Sequence, residues 1–232
     1  ARHGNWLFRS TRTSGNTVKY SPPVKVEVSP AAPAADTVKQ FLYYTNKNQK
    51  RDLLLHLLQD SVKDQVLLFS RTKHGANRIV RSLSQNKIKA AAIHGDRSQN
   101  QRQKALKVFK NGKVRVLVAT DIASRGIDID KLRYVINYDI PEESETYVHR
   151  IGRSGRAGEE GVAISISEPE ENSYVREIEK LMDKKIEIIR DNPFPQTDKP
   201  MTAAEKKAAN REKARRRQEF FANRKKKTRY GR

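Results

Sequence analysis

Short, mainly apolar runs of four to seven residues alternate through the middle of this chain with longer amphipathic segments. The runs are Val66 to Phe69, Ile88 to Ile93, Val114 to Ala119, Leu132 to Tyr138 and Val162 to Ile166. Runs this continuous read as strands buried on both faces, because a half-exposed strand alternates apolar with polar residues. Between them, Lys73 to Asn86, Gln99 to Asn111 and Glu143 to Ile151 are long enough for crossover helices, and Gly112 sits where a helix C-terminal glycine belongs. Strand, helix and strand repeating in this way predict a parallel sheet with right-handed crossovers. Upstream, Phe41 to Tyr44 reads as an additional strand and Leu53 to Leu58 as part of an apolar-striped helix. The expected fold is three-layer α/β.

Ligands of open parallel sheets bind beyond the carboxyl ends of the strands. Here those ends read Ser70-Arg71-Thr72, His94-Gly95-Asp96 and Thr120-Asp121. Loops are polar in any protein, but three successive ends with hydroxyls, a glycine and an arginine mark one rim of the sheet as a binding surface. Further on, His149-Arg150-Ile151-Gly152-Arg153-Ser154-Gly155-Arg156 places three arginines among glycines, which let a backbone approach a ligand closely. Arg153 and Arg156 are spaced to reach one anion. A guanidinium fork suits phosphate oxygens better than a lysine point charge, and beside a triphosphate it stabilises charge on the transferred phosphoryl. A solvated basic loop is the alternative for an isolated Arg-x-x-Arg.

Composition narrows the partners. At 232 residues the chain holds one sizeable core plus extensions. A net charge of +21 and a pI near 10.2 call for a polyanion, with nucleic acid favoured over membrane. Residues 201–232 carry 13 Lys/Arg against three Glu, residues 1–20 carry four basic residues and no acid, and the middle is an ordinary soluble domain. No stretch reaches the roughly 18 apolar residues of a spanning helix, and residues 1–20 lack the apolar centre of a secretion signal. A cytoplasmic protein without a membrane partner is expected. With no cysteine and no ligand-like histidine spacing, no structural metal is expected.

Four collinear motifs give a resemblance. Val66-Leu-Leu-Phe-Ser-Arg-Thr72, Gln99-x-x-Arg102, Ala119-Thr-Asp-Ile-Ala-Ser-Arg-Gly-Ile-Asp128 and the octapeptide from His149 to Arg156 resemble, in order and spacing, the second RecA-like domain of DEAD-box ATP-dependent RNA helicases. The match covers about residues 24–190, which leaves 1–23 as an unmatched N-terminal segment and 191–232 as a basic tail. Phe69-Ser-Arg-Thr-Lys-His-Gly-Ala-Asn77, with Ile93 to Arg102, is most similar to the bacterial RhlE-type branch, as is the basic tail.

The resemblance implies a RecA-like domain with a mainly parallel sheet, and it implies roles. Arg153 and Arg156 correspond to catalytic arginines that reach the γ-phosphate of ATP held by the first domain. Asp128 corresponds to a carboxylate near the ribose hydroxyls, with Gly126 beside it on the nucleotide side. His149 and Arg150 resemble positions that couple the nucleotide site to the RNA site. Arg71, Gly95, Gln99, Arg102, Thr120 and Gly126 resemble positions along the RNA backbone, and such groups fix phosphates and sugars without reading sequence. Plain alternatives stand beside these roles: Asp128 as a turn or helix cap, Gln99 and Arg102 as a solvated helix face, His149 as the donor or acceptor of a local hydrogen bond.

An ATP-driven helicase also needs a Gly-x-x-x-x-Gly-Lys-Ser/Thr loop and an acidic group for Mg²⁺. Neither is found in these residues, nor is Asp-Glu-Ala-Asp or the Ser-Ala-Thr segment expected before the connector. ATP with Mg²⁺ is therefore expected to be held mainly by an N-terminal RecA-like domain that these residues do not include. That domain and RNA are the expected partners, and negligible ATP hydrolysis is expected from the chain alone. Residues 1–20 do not resemble the end of a first domain and read as a displaced reading frame, a truncated product or an unrelated added segment.

The tail opens with Thr202-Ala-Ala-Glu205, a capping-box pattern. Its Phe220-Phe221 pair is too little for a second core, so a fraying helix or disorder is expected. It reads as an electrostatic RNA tether, or as a solubilising tail. The leading function is that of a C-terminal helicase domain that grips RNA and supplies arginine fingers for unwinding. The runner-up is a stand-alone RNA-binding or annealing module; half of a DNA helicase is weaker.

Overall fold

The computed structural model describes residues 37–124, 132–155 and 160–229. Seven strands form one sheet: β1 (Val38–Tyr44), β2 (Val66–Phe69), β3 (Ala90–Ile93), β4 (Val116–Ala119), β5 (Tyr134–Asn137), β6 (Gly161–Ser167) and β7 (Glu187–Ile188). Their order is β3-β4-β2-β5-β6-β1-β7, and every pairing is parallel. The helices are α1 (Lys50–His56, continued by a π-helical turn Leu57–Ser61), α2 (Lys73–Gln85), α3 (Gln99–Lys110), the short α4 (Asp121–Ser124), α5 (Ser144–Ile151), α6 (Asn172–Met182) and α7 (Ala203–Arg229). The three-layer α/β expectation holds.

Alternation along the central strands builds two cores from one sheet. Val66 and Leu68 face α1 and α2, where they meet Leu54, Leu58, Ile79 and Leu83. Leu67 and Phe69 face the other way, onto Phe109 of α3 and Ala123 of α4. Further along that second face, Leu42 and Ala163 pack on Tyr147 and Ile151 of α5 and on Val175 and Ile178 of α6. All four residues of β2 are fully buried, which is why its sequence shows no polar alternation. Each such leucine or valine contributes roughly 1.5–3 kcal/mol on burial.

Local signals bound the helices, of which Gly112 was anticipated and the caps at Thr72 and Ser98 were not. Thr72 caps α2 by accepting from the Gly75 N–H at 3.0 Å, and Ser98 with Gln101 forms a capping box on α3. Gly112 follows α3 at φ +69°, the left-handed geometry that favours glycine. α6 and β7 were not anticipated. Several strands are also shorter than their apolar runs, because β4 starts at Val116, where its partner in β2 starts at Val66.

Beyond β7 the chain stays on the domain. The Gln196 N–H donates to the Tyr44 carbonyl at 3.1 Å, Asn46 Oδ1 accepts from the Thr197 and Asp198 N–H groups at 2.9 Å, and the Met201 N–H donates to Glu170 at 2.7 Å. The expected capping box then opens α7, with Thr202 Oγ1 accepting from the Glu205 N–H at 3.3 Å. No helix among the described residues is long and apolar enough to cross a membrane.

Candidate functional site

Strand register brings the polar strand ends together. Ile93, Ala119, Phe69 and Asn137 are lateral neighbours across β3, β4, β2 and β5. The residues that follow them, His94-Gly95, Thr120-Asp121, Ser70-Arg71 and Tyr138-Asp139, therefore line up along one rim. Three of these ends were anticipated as a binding surface; the fourth, after β5, was not.

Arg150 organises the rim from below. Only 2% exposed, it donates through Nε and Nη2 to the two Asp121 carboxylate oxygens at 2.6 and 2.9 Å, and through Nη1 to Asn137 Oδ1 at 3.2 Å and the Asp139 carbonyl at 2.6 Å. Its guanidinium also lies 4.9 Å from the Phe69 ring centroid. A fork that fills a carboxylate bidentately, stacks on an aromatic face and still reaches two more oxygens cannot be copied by lysine. The polar line continues inward: Asn137 Nδ2 donates to Ser165 Oγ at 3.3 Å, and the Tyr147 hydroxyl donates to Gln40 Oε1 at 3.0 Å. Burial raises the Tyr147 hydroxyl above the ordinary tyrosine range, so it stays a neutral donor.

A second network holds Arg71. Its Nη2 donates to Glu171 Oε1 at 2.5 Å and to the Ile140 carbonyl at 3.2 Å, while its backbone N–H and the Ser70 hydroxyl both donate to Asp139 Oδ2. Buried Lys50 faces the same carboxylates, 2.8 Å from Glu171, 3.5 Å from Asp139 and 3.8 Å from Glu168. Burial pushes the Glu171 carboxyl above its usual range, and Lys50 opposes that shift. The Arg71 side chain remains 42% exposed, so the network orients it without covering it.

The remaining rim residues divide by exposure. Gly95 borders open space, and Gln99 is exposed. Arg102 is half-buried and ties α3 to α4, with Nη1 donating to Gln99 Oε1 at 3.3 Å and Nη2 to the Ala123 carbonyl at 3.1 Å. Its Nε has no hydrogen-bond partner among the described residues. The Thr120 carbonyl accepts the Ala123 and Ser124 N–H groups that begin α4. Buried His94 shares a 3.1 Å hydrogen bond with Asn77 Oδ1, and burial, then Arg97, depress its pKa.

On the α5 side, His149, Arg150, Arg153 and Thr146 wall an open cleft of about 330 Å³ against Phe69, Asp121 and Ser124. The His149 side chain is exposed and makes no hydrogen bond to a described residue; Arg153 is half-buried. Arg156, Gly126 and Asp128 lie outside the described residues. Gly155 sits at φ +69°, in the left-handed region that favours glycine, and a Cβ at Gly161, where β6 begins, would sit 2.6 Å from the Gly155 nitrogen, so close backbone packing requires glycine at 161.

Sequence reasoning assigned no role to Asp121, Asn137, Asp139, Lys50, Glu168 or Glu171. Asp121 and Asp139 carried a signal, since each closely follows a strand. Lys50 and Glu171 carried none, being 121 residues apart. Among the described residues no group of three His, Cys, Asp or Glu forms a metal-binding cluster.

This fold and rim define a RecA-like helicase domain, and comparison with known proteins agrees. Residues 49–158 match the family described as helicase conserved C-terminal domain. The ATP-dependent RNA helicase CshA of Listeria monocytogenes serovar 1/2a is 39% identical over 189 residues, covering 79% of this chain and 36% of that protein. The structure of the E. coli DEAD-box protein SrmB bound to regulator of ribonuclease activity A aligns at TM-score 0.66 and 33% identity, covering 71% of this chain and 98% of that one. S. cerevisiae Dbp5 bound to RNA and ADP BeF3 aligns at TM-score 0.62 and 31% identity, covering 66% and 42%. The chain belongs to the DEAD-box helicase family and corresponds to its C-terminal helicase domain. It spans between 21% and 38% of the length of the curated relatives it matches.

Proposed function

We propose that this chain forms one wall of a composite ATPase and grips RNA across its rim, as half of an ATP-dependent RNA helicase. The observation that carries the reading is Arg150. It ties α5, whose end bears His149 and leads to Arg153, to Asp121, the residue after Thr120 at the end of β4. One buried guanidinium thus joins the proposed nucleotide wall to the proposed RNA rim. Because its donors are already engaged, Arg150 couples the two sites mechanically, while the phosphates fall to Arg153 and Arg156.

The cleft fits such a ligand from one side only: it offers guanidinium and imidazole groups for phosphate oxygens. Bound ATP with Mg²⁺ would bring the phosphoryl group, and a separate N-terminal domain the phosphate cradle, metal ligands and attacking water. In that complex Arg153 and Arg156 stabilise developing negative charge. Across the rim, Arg71, Gly95, Gln99, Arg102 and Thr120, with Gly126, hold RNA phosphates and sugars, and Asp128 serves the ribose. Sequence-independent gripping follows. The motifs around Phe69 and the basic tail favour the RhlE-type branch.

Complementation tests this reading. A separately produced first domain, mixed with the chain, is expected to give RNA-stimulated ATP hydrolysis, against negligible turnover from the 232 residues alone. RNA binding that persists without any restored ATPase would instead make the chain a stand-alone binding or annealing module.

The tail adds a tether in the same reading. α7 carries its charge all round, and its described side chains are exposed, including Phe220 at 63%. Each phosphate neutralised releases counterion, so tether binding is salt-dependent. Removing residues 203–232 is expected to weaken RNA affinity and flatten its dependence on salt, while the contacts of Thr197, Asp198 and Met201 stay intact. Equal affinity and slope in a salt titration would discard the tether.

A further inference from the structure

A groove of about 600 Å³ opens between α1 and α2 beside Arg71 and runs away from the rim along the outer side of α2. Its walls carry Lys47 and Arg51 on one side and Arg78 and Arg81 on the other, with Lys50 and Tyr138 at the base. Six lysines and arginines line it against two carboxylates, Asp139 and Glu168. Those carboxylates are answered from within, by Lys50 at 3.5 and 3.8 Å and by Lys47 at 3.2 Å from Glu168. Arg78 and Arg81 differ from the rest. Both side chains are exposed, and neither side chain makes an ion pair or hydrogen bond with any described residue.

We propose that this groove is a second RNA-backbone site, which receives the strand as it leaves the rim at Arg71. The inference rests on the RNA reading of the rim and extends it from Ser70, Arg71 and Thr72 of the first motif onto Arg78, Arg81 and Gln85, which lie outside the four motifs. Arg78 and Arg81 stand one helical turn apart, about 4.5 Å along the axis, and Gln85 continues the same stripe one turn further. Guanidinium forks at that spacing address successive phosphates of one strand, and Thr72, Ser82 and Gln85 add hydrogen-bonding groups suited to sugar and phosphate oxygens. Nucleic-acid interfaces are polar and strongly positive. An acidic protein segment needs more: protein interfaces draw their affinity from apolar and aromatic anchors in fitted pockets. This lining provides only buried Ile79 and the half-buried Tyr138 ring, which is already beneath Lys50 at 5.2 Å. RNA is the better occupant.

The test uses the full chain and oligouridylates of about six and about twelve nucleotides, within the range one domain covers. Arg78→Ala combined with Arg81→Ala is expected to weaken the longer oligomer about tenfold, and to reduce its salt slope by about 1.4, since each phosphate contact on a single strand contributes about 0.7. Affinity for the shorter one should stay within about twofold. The tail is present in both proteins, so its contribution cancels. A photoreactive uridine at the outer end of the longer oligomer should also crosslink to α2 in the unsubstituted chain, a readout independent of the variant's folding.

Equal affinity and slope for the longer oligomer, with no crosslink to α2, would overturn the groove while leaving the rim intact. Equal losses for both lengths would also overturn it, because the arginines would then act through the general field. If the unsubstituted chain binds neither oligomer, the RNA reading of the rim fails and takes the groove with it.

Discussion

Alanine at both Arg153 and Arg156 is expected to lower ATP turnover of the chain reconstituted with a first helicase domain by about 10³-fold or more, the range assigned to arginine fingers. The chemistry demands a large effect. Charge develops on the transferred phosphoryl group in a site closed to water, where a fixed guanidinium is worth far more than in solvent. RNA affinity of the chain should change little, because Arg153 stands on the cleft lined by Thr146 and His149, away from Arg71, Gly95 and Gln99. Lysine at the same two positions keeps the charge but loses the planar fork, and is expected to recover only a small part of the lost rate. Steady-state ATPase at saturating RNA, beside RNA affinity by fluorescence anisotropy, separates the two readouts. A double alanine variant with turnover within about tenfold of the unsubstituted complex would remove the finger assignment.

The sheet was legible in the sequence because it is buried on both faces. Val66 to Phe69 and Val116 to Ala119 have no exposed position to interrupt their apolar runs. Their ends were harder to read, since a strand is only as long as its neighbours allow: β2 has four residues and holds β4 and β5 to the same length through the register. α6 went unread although Tyr174, Val175, Ile178 and Leu181 carry a helical period, because its four apolar positions follow directly on the stronger continuous run of β6. β7 left no signal, being two exposed residues, Glu187 and Ile188, recruited by β1.

The site divides along the same line. Candidate residues that lie close together in the chain were legible, because strand ends and the arginine octapeptide announce themselves within a few positions. Residues that act through distant partners were not. Arg71 meets Glu171 across 100 residues and Lys50 meets it across 121, so the pairing exists only once the sheet has brought the ends of β2 and β6 near α1. Arg150 shows the middle case. The resemblance implied a coupling position without naming its partners, and folding supplies them as Asp121, Asn137 and the Asp139 carbonyl. Arg150 is thus held by protein acceptors, whereas the phosphate role proposed for Arg153 and Arg156 calls for a ligand.

That division makes Arg150→Ala a stability variant before it is a functional one. Truncation leaves the Asp121 carboxylate, Asn137 Oδ1 and the Asp139 carbonyl without their donor, and it opens a space over the Phe69 ring. Removing one partner of a buried ion pair costs about 3–5 kcal/mol. The Asp121 side chain is 36% exposed, so water shares its load and the lower end applies. At about 2–4 °C per kcal/mol for a domain of this size, Tm should fall by on the order of 10 °C. Arg150→Lys keeps a charge near Asp121 but loses the planar fork that spans four acceptor oxygens and stacks on Phe69, and should fall between the alanine variant and the unsubstituted chain. Asp121→Asn retains an oxygen acceptor for the fork and should cost less than either. Thermal unfolding followed by circular dichroism measures the series. A loss below about 1 kcal/mol for Arg150→Ala would mean that the network is solvated and holds nothing, and the proposed coupling through α5 would then need another anchor.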